Sequence, residues 1–207
     1  MKVLVLIFGL FLFLVACKDT AVQDKKGLED KKDLNKDKVV EEIKEEKSIY
    51  DFKMTSLEGE EIDFAQFKNK KILIVNVASK CGYTPQYKDL QAVHEQYGDD
   101  LVILGFPANN FMKQEPGTDK DIAEFCEKNY GVTFQMFSKI SVVGEDQAPL
   151  YQWLSDKNAN GWNEQAPEWN FCKYLIDEEG KLAAYYPSAV NPEEIVLKFE
   201  EEEIEYY

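Results

Sequence analysis

The sequence predicts an α/β domain with a mixed central sheet flanked by helices. A buried strand at 72–78, a helix at 86–97 and a second buried strand at 101–106 have the spacing of a βαβ unit, so the two strands are expected to be parallel. Alternating segments at 171–176 and 181–186 surround Asp-Glu-Glu-Gly, which predicts an antiparallel hairpin. Parallel and antiparallel pairs within one domain indicate a mixed sheet.

Turn and capping residues delimit the other elements. Thr84 is a predicted N-cap for the first long helix, with Pro85 at the first helical position, and Gly98 ends this helix. Thr118 is the predicted N-cap of the second long helix. The further predicted elements are an opening hairpin (49–54 and 60–64), a helical turn (64–67), helices at 118–129, 148–156 and 192–202, a short strand within 132–143 and a loop at 157–168. This order is that of the thioredoxin-like fold.

Two segments precede the predicted domain, which spans 48–207. Residues 1–17 combine a basic start with an apolar run and end in Leu-Val-Ala-Cys, which resembles the bacterial lipobox. The resemblance implies lipidation of Cys17 and a membrane-anchored lipoprotein, exported to the periplasmic side of a bacterial envelope. The alternative is an ordinary secretory signal with a coincidental cysteine. Residues 18–47 hold nine lysines, ten acidic residues and no aromatic residue, which predicts a charged, flexible tether.

The charge and the cysteines exclude several classes of function. The tether is nearly neutral, so the net charge of −15 lies on the domain, and the chain contains no arginine. Such a field disfavours nucleic-acid binding. Cys81, Cys126 and Cys172 are too few and too widely spaced for a disulfide framework, and neither a Cys-x-x-Cys motif nor a Cys/His cluster is present. The sequence therefore predicts no metal and no cofactor, and it indicates redox chemistry at particular thiols.

Cys81 is the leading candidate for a reactive thiol. It follows the first buried strand and comes just before a helix, which is where open α/β sheets place their chemistry. The positive end of the helix dipole favours a thiolate there, and the flanking Gly82, Thr84 and Pro85 predict a turn that exposes it. The alternative is a small buried cysteine that merely packs.

Three motifs resemble those of the glutathione peroxidase family of the cysteine type. Asn-Val-Ala-Ser-x-Cys-Gly-x-Thr, Phe-Pro-x-Asn…Gln-Glu-Pro-Gly and Trp-Asn-Phe occur in the family's order, and the resemblance covers about residues 48–200. It implies that Cys81 is the peroxidatic cysteine and that the other members of the catalytic tetrad are Gln114, Trp169 and Asn170. Side-chain amide and indole N–H groups are neutral donors, suited to favouring a thiolate and holding peroxide oxygens.

The same resemblance extends to the reductant. Cys126 matches the resolving cysteine of thioredoxin-dependent relatives, which implies a disulfide with Cys81 and partial unwinding of its helix; the alternative is a buried helical cysteine. Cys172 stands where the family rarely has cysteine, and we expect it to be structural. Glutathione-using relatives draw their anionic tripeptide to basic residues. The acidic, arginine-free domain therefore favours a thioredoxin-like protein as reductant over glutathione.

Taken together, the residues and the resemblance predict a membrane-anchored thiol peroxidase for hydrogen peroxide and organic or lipid hydroperoxides. A peroxide sensor or redox relay that uses the same cysteines is an alternative, and so is a glutathione-dependent peroxidase. A non-catalytic surface lipoprotein is a third possibility, against which the complete set of motif residues argues. The stretch 144–169 lacks the insertion of tetrameric relatives, which favours a monomer.

Overall fold

The computed structural model describes residues 47–197. The predicted signal segment with Cys17, the tether up to residue 46 and the predicted helix beyond residue 197 lie outside the described residues. Within 47–197, no helix has the length and apolar character needed to cross a bilayer.

The predicted mixed sheet is confirmed. The strands are β1 (Lys53–Thr55), β2 (Glu61–Asp63), β3 (Lys71–Val77), β4 (Leu101–Pro107), β5 (Gln135–Met136), β6 (Lys173–Ile176) and β7 (Leu182–Tyr186). Five of them form one sheet in the order β5-β4-β3-β6-β7, and β1 pairs with β2 in a separate antiparallel hairpin. β4 is parallel to β3 and β5, whereas β6 is antiparallel to β3 and β7. The βαβ unit and the C-terminal hairpin therefore form as the sequence predicts.

The helices are α1 (Gln86–Tyr97), α2 (Asp119–Tyr130), α3 (Pro149–Leu154), α4 (Lys157–Asn160) and α5 (residues 192–197), with 3₁₀ turns at Ile49–Asp51 and Phe64–Phe67. Thr118 caps α2 as predicted, because its hydroxyl accepts the Asp121 N–H while the Asp121 carboxylate accepts the Thr118 N–H. The predicted cap at Thr84 is wrong. Pro85 is the N-cap residue of α1, and the Thr84 hydroxyl bonds within the preceding turn.

The segments predicted as a loop at 157–168 and as a strand from 171 also differ from the structure. α4 forms inside the first, because the Asp156 carboxylate accepts the Asn158 N–H and caps a single helical turn. The second starts as a strand only at Lys173, because Phe171 takes a left-handed backbone conformation with φ of 66°.

The core lies on both faces of the sheet. Leu73 and Val75 of β3 pack into a cluster with buried residues of α1 and α2, and the alternating Ile72 and Ile74 pack on the opposite face with α3. All four side chains are fully buried, and each such burial contributes about 1.5–3 kcal/mol. This two-sided core fixes β3 and β4 and therefore fixes the positions of the loops that follow them.

Candidate active site

Three loops meet at one edge of the sheet. β3 and β4 run parallel and end together, with Val77 opposite Pro107, so the loops that follow both strands leave the sheet side by side. The segment before β6 reaches the same edge, where the Phe171 N–H donates to the Asn76 carbonyl oxygen at 2.6 Å. The sequence motifs that carry Cys81, Gln114 and Trp169 lie on these loops. The topology therefore gathers all three motifs at the edge where chemistry is expected.

Cys81 sits in a tight turn between β3 and α1. Its N–H donates to the Thr84 hydroxyl oxygen at 2.9 Å, and that hydroxyl donates to the Ala78 carbonyl oxygen at 2.8 Å. The Tyr83 N–H points at the Cys81 sulfur, with 3.4 Å between nitrogen and sulfur. The residue is 8% exposed. The turn forms, but the predicted exposure of Cys81 is wrong: the residue is buried in an apolar cluster, with one backbone donor directed at its sulfur.

Gln114 and Asn170 are joined directly. The Asn170 side-chain N–H donates to the Gln114 amide oxygen at 2.9 Å, and the Lys80 backbone N–H donates to the Gln114 carbonyl oxygen at 3.0 Å. Met112 and Lys113 precede Gln114 with φ values of 50° and 55°. A non-glycine residue in this left-handed region costs about 1 kcal/mol. The loop after β4 is therefore strained just before Gln114, the residue that forms hydrogen bonds with both of the other loops.

Trp169 is half-buried beside this pair. Its ring lies 5.6 Å from the ring of Phe111, and its carbonyl oxygen accepts a hydrogen bond of 2.8 Å from the Asn76 side chain. It also packs against the apolar cluster that contains Cys81. Among the described residues, however, no hydrogen bond joins the Cys81 sulfur to Gln114, Trp169 or Asn170. The structure places the four residues at one edge, and their roles as a tetrad stay a prediction.

Cys126 lies on α2, in the same apolar cluster as Cys81. It is 2% exposed, and all three cysteines of residues 47–197 are free thiols. Burial raises the pKa of the Cys126 thiol to about 11; the Glu115 carboxylate adds to this effect, and the Tyr87 hydroxyl opposes it. In the reduced protein this thiol is therefore protonated at neutral pH.

Comparison with known proteins shows the family to which the chain belongs. Residues 49–155 match the family model for glutathione peroxidase. The chain is 47% identical over 146 residues to glutathione peroxidase-like peroxiredoxin 2 of Saccharomyces cerevisiae, an alignment that covers 70% of this chain and 90% of the yeast protein. The chain belongs to the glutathione peroxidase family.

Two further comparisons extend this assignment. This family member is 41% identical over 160 residues to the hydroperoxy fatty acid reductase gpx1 of Synechocystis, covering 74% of the chain and 94% of that protein. A crystal structure described as Trgpx in apo form superposes with a TM-score of 0.59 at 38% identity, covering 75% of this chain and 94% of that one. The predicted thioredoxin-like fold of the glutathione peroxidase family is thereby confirmed.

Glu115 lies in the Gln-Glu-Pro-Gly motif but is not among the predicted site residues. Its carboxylate accepts the Ser79 N–H at 2.8 Å and the Ser79 hydroxyl at 2.6 Å, so it joins the Cys81 loop to the Gln114 loop. Burial raises the pKa of Glu115, while its bonds to Ser79 oppose the rise. Glu115 could have been recognised as a site residue from the sequence, because it is an acidic residue inside a motif that follows a buried strand.

Replacing Glu115 with glutamine is expected to lower the pKa of Cys126 below about 11. Burial is the main cause of the raised value and stays, but the Glu115 carboxylate, which also raises it, loses its charge. The measurement is an ultraviolet thiolate titration of variants that keep Cys126 as the only cysteine of the domain. Glu124→Gln, which removes an exposed carboxylate from α2, is the matched control and should leave the pKa unchanged. An unchanged or higher pKa in Glu115→Gln would contradict the expectation.

Cys172 is fully buried away from the solvent, as expected for a structural cysteine. Its sulfur lies 3.5 Å from the Ser188 hydroxyl oxygen and accepts a hydrogen bond of 3.4 Å from the Tyr185 hydroxyl. The next residue, Lys173, is also fully buried, and its ammonium donates to the Gln86 side-chain oxygen and to the carbonyl oxygens of Ser188 and Val190. It therefore links the strand after the Trp-Asn-Phe motif to the start of α1.

Two exposed lysines lie near the site on an otherwise acidic domain. Lys80 and Lys113, both exposed, flank Cys81 and Gln114 in sequence, on two of the loops that form the site. An anionic reductant such as glutathione would meet these two cations together with the buried Glu115 carboxylate.

Proposed function

We propose that this protein is a two-cysteine thiol peroxidase in which Cys81 attacks the substrate. The proposal rests on the position of the Cys81 sulfur. It lies in the turn at the sheet edge where the three loops meet, and the Tyr83 N–H is directed at it. The thiolate attacks one oxygen of the hydroperoxide and the O–O bond breaks. The sulfur becomes sulfenic acid, and the other oxygen leaves with a proton as water or alcohol.

We propose that Gln114, Asn170 and Trp169 hold the peroxide and the sulfur during this step. Two features support these roles. The Asn170 side-chain oxygen is buried and has no hydrogen-bond partner among the described residues, so it is free to accept a hydrogen bond from a substrate O–H that reaches it. The Gln114 and Trp169 side chains are only half-buried on the adjoining loops, so their N–H groups remain within reach of a ligand.

We propose that Cys126 resolves the sulfenic acid. Its sulfur would form a disulfide with Cys81 and release the bound oxygen as water, and a dithiol protein of the thioredoxin type would then reduce the disulfide. The shared apolar cluster supports this pairing. The name of the yeast relative, a peroxiredoxin, also supports a thiol-based cycle.

The proposal is tested on the purified, reduced protein. One equivalent of hydrogen peroxide is added, the disulfides are mapped by mass spectrometry, and turnover is followed with thioredoxin and separately with glutathione. A bond between Cys81 and Cys126, with turnover only on thioredoxin, is expected. Cys81 left as sulfenic acid or as a glutathione adduct would instead give Cys126 a structural role and assign glutathione as the donor.

Replacing Cys126 with serine is expected to lower thioredoxin-supported turnover by roughly 100-fold, because no disulfide can form for thioredoxin to reduce. Formation of Cys81 sulfenic acid should continue and can be followed with a sulfenic acid trap. Cys172→Ser is the matched control, since Cys172 is an equally buried free thiol. Equal losses in the two variants would show a general effect of changing a buried thiol.

We propose that the substrates include apolar hydroperoxides. Met112 is 77% exposed on the Gln114 loop, and Tyr83 is 36% exposed on the Cys81 turn, so apolar side chains border the site. The cyanobacterial relative is named a hydroperoxy fatty acid reductase. Turnover of a fatty-acid hydroperoxide, measured beside hydrogen peroxide, tests this preference.

We propose further that the protein is a monomer anchored to a bacterial membrane through lipidated Cys17. The lipobox-like sequence supports the anchor, and the absence of the oligomer-associated insertion from 144–169 supports the monomer. Incorporation of labelled fatty acid, lost in Cys17→Ser, tests the first point. Light scattering of the purified protein tests the second.

A further inference from the structure

Tyr87 has a buried hydroxyl whose position the fold alone does not explain. The residue lies in the first turn of α1 and is fully buried. Its ring packs edge-on against Phe171, with 5.5 Å between ring centres, and lies tilted by 33° against Tyr130 at 5.4 Å. The hydroxyl, however, has no hydrogen-bond partner among the described residues. An unpaired buried hydroxyl is unfavourable, so a phenylalanine would satisfy the same packing better.

The Cys126 thiol belongs to the same apolar cluster as Tyr87, and the Tyr87 ring packs on Tyr130, one helical turn after Cys126 on α2. The hydroxyl influences the ionisation of this thiol, although it makes no hydrogen bond in the reduced protein. Burial and the Glu115 carboxylate disfavour the Cys126 thiolate, and the Tyr87 hydroxyl favours it. A thiol is a weak acceptor and a thiolate is a strong one, so this donor gains a partner when Cys126 ionises.

Cys126 also lines a cavity of about 400 Å³ between α2 and β5. Glu58 and Glu127 also line this cavity, and neither residue is buried. Solvent in the cavity can therefore receive the thiol proton. Tyr87, six residues after Cys81, links the turn of the peroxidatic cysteine to the thiol that must attack it.

We propose that the Tyr87 hydroxyl is the hydrogen-bond donor that stabilises the Cys126 thiolate as it forms on α2, before Cys126 moves to attack Cys81. The inference rests on the proposed resolving role of Cys126. The Cys126 thiol loses its proton to water, the thiolate attacks the sulfur of Cys81 sulfenic acid, and the S–S bond forms as the S–O bond breaks. The oxygen leaves as hydroxide and takes up a proton to become water. Tyr87 keeps its own proton throughout and acts only on the attacking sulfur.

The test is Tyr87→Phe in the full chain, with the two chemical steps measured separately after rapid mixing with hydrogen peroxide. Sulfenic acid formation at Cys81 should keep its wild-type rate, and disulfide formation should slow roughly tenfold. The thermal stability of the variant should be at least that of the wild type, because an unpaired buried hydroxyl is removed. In a Cys81→Ser background, the ionisation midpoint of Cys126 should move to higher pH.

Tyr151→Phe is the matched control. Tyr151 is also fully buried with an unpartnered hydroxyl, but it lies in the cluster on the opposite face of the sheet. This control should leave both steps and the Cys126 midpoint unchanged.

Three results would overturn the inference: a wild-type rate of disulfide formation in Tyr87→Phe, an equal slowing of both steps, or loss of the fold. The first result would show that the Tyr87 hydroxyl has no role in disulfide formation. The other two would show that its role is structural. A wild-type protein that forms sulfenic acid but no disulfide would instead refute the resolving role of Cys126 itself. The two failures are therefore distinguishable.

Discussion

Replacing Cys81 with serine is expected to lower hydroperoxide turnover by at least ~10³-fold. The reaction needs a nucleophile that is ionised near neutral pH and whose oxidised form can be reduced again. A serine hydroxyl meets neither condition, because it stays protonated and forms no sulfenic acid or disulfide. The measurement is consumption of hydrogen peroxide and of a fatty-acid hydroperoxide with thioredoxin present.

The variant should keep the fold, so the loss can be assigned to chemistry. The bonds that shape the turn use the Cys81 backbone N–H, the Thr84 hydroxyl and the Ala78 carbonyl, and none of them needs the sulfur. Circular dichroism and thermal unfolding should therefore match those of the wild type. Cys172→Ser, at a buried thiol bonded to Tyr185, should retain most of the activity. If Cys81→Ser kept more than a tenth of the activity, the nucleophile would have to be another residue.

The parts of the fold that the sequence predicts are those with a local signal. β3 and β4 are apolar runs, so they appear as buried strands, and the capping pair of Thr118 and Asp121 marks the start of α2. Because parallel strands end at one edge of a sheet, the same patterns also predict that the loops after β3 and β4 meet. The sequence therefore predicts that Cys81 and Gln114 lie near each other.

The parts that the sequence does not predict depend on partners distant in the chain. Threonine is a common helix cap, but the Thr84 hydroxyl bonds to the Cys81 N–H and the Ala78 carbonyl oxygen inside the preceding turn, and Pro85 takes the cap position. The pairing of Glu115 with Ser79 joins residues 36 positions apart. Lys173 interrupts an apolar strand, which is itself a signal, but its acceptors on Gln86 and the 188–190 segment come from tertiary structure.

Replacing Lys173 with methionine is expected to lower the free energy of unfolding at pH 7 by about 2–4 kcal/mol. Two effects compete. Loss of the ammonium leaves three buried acceptors without a donor, at about 1–3 kcal/mol each. Removal of a buried charge relieves at most ~3.4 kcal/mol, since burial lowers the pKa of Lys173 from 10.5 to about 8. The unpaired acceptors therefore dominate.

Lys181→Met, at an exposed lysine of the same hairpin, is the control and should change the free energy of unfolding by less than ~0.5 kcal/mol.

The difference in free energy of unfolding between wild type and Lys173→Met depends on pH, and this dependence tests the charge state of Lys173. Between pH about 8 and 10.5 the unfolded chain still binds the Lys173 proton, whereas the folded protein has lost it. Because the unfolded state then binds more protons, the stability conferred by Lys173 rises with pH, by up to ~1.4 kcal/mol per pH unit. The gap between wild type and Lys173→Met, measured by denaturant unfolding, should therefore widen from pH 8 to pH 10. A gap that stayed constant or narrowed would mean that the three hydrogen bonds to Gln86, Ser188 and Val190 keep the ammonium charged despite its burial.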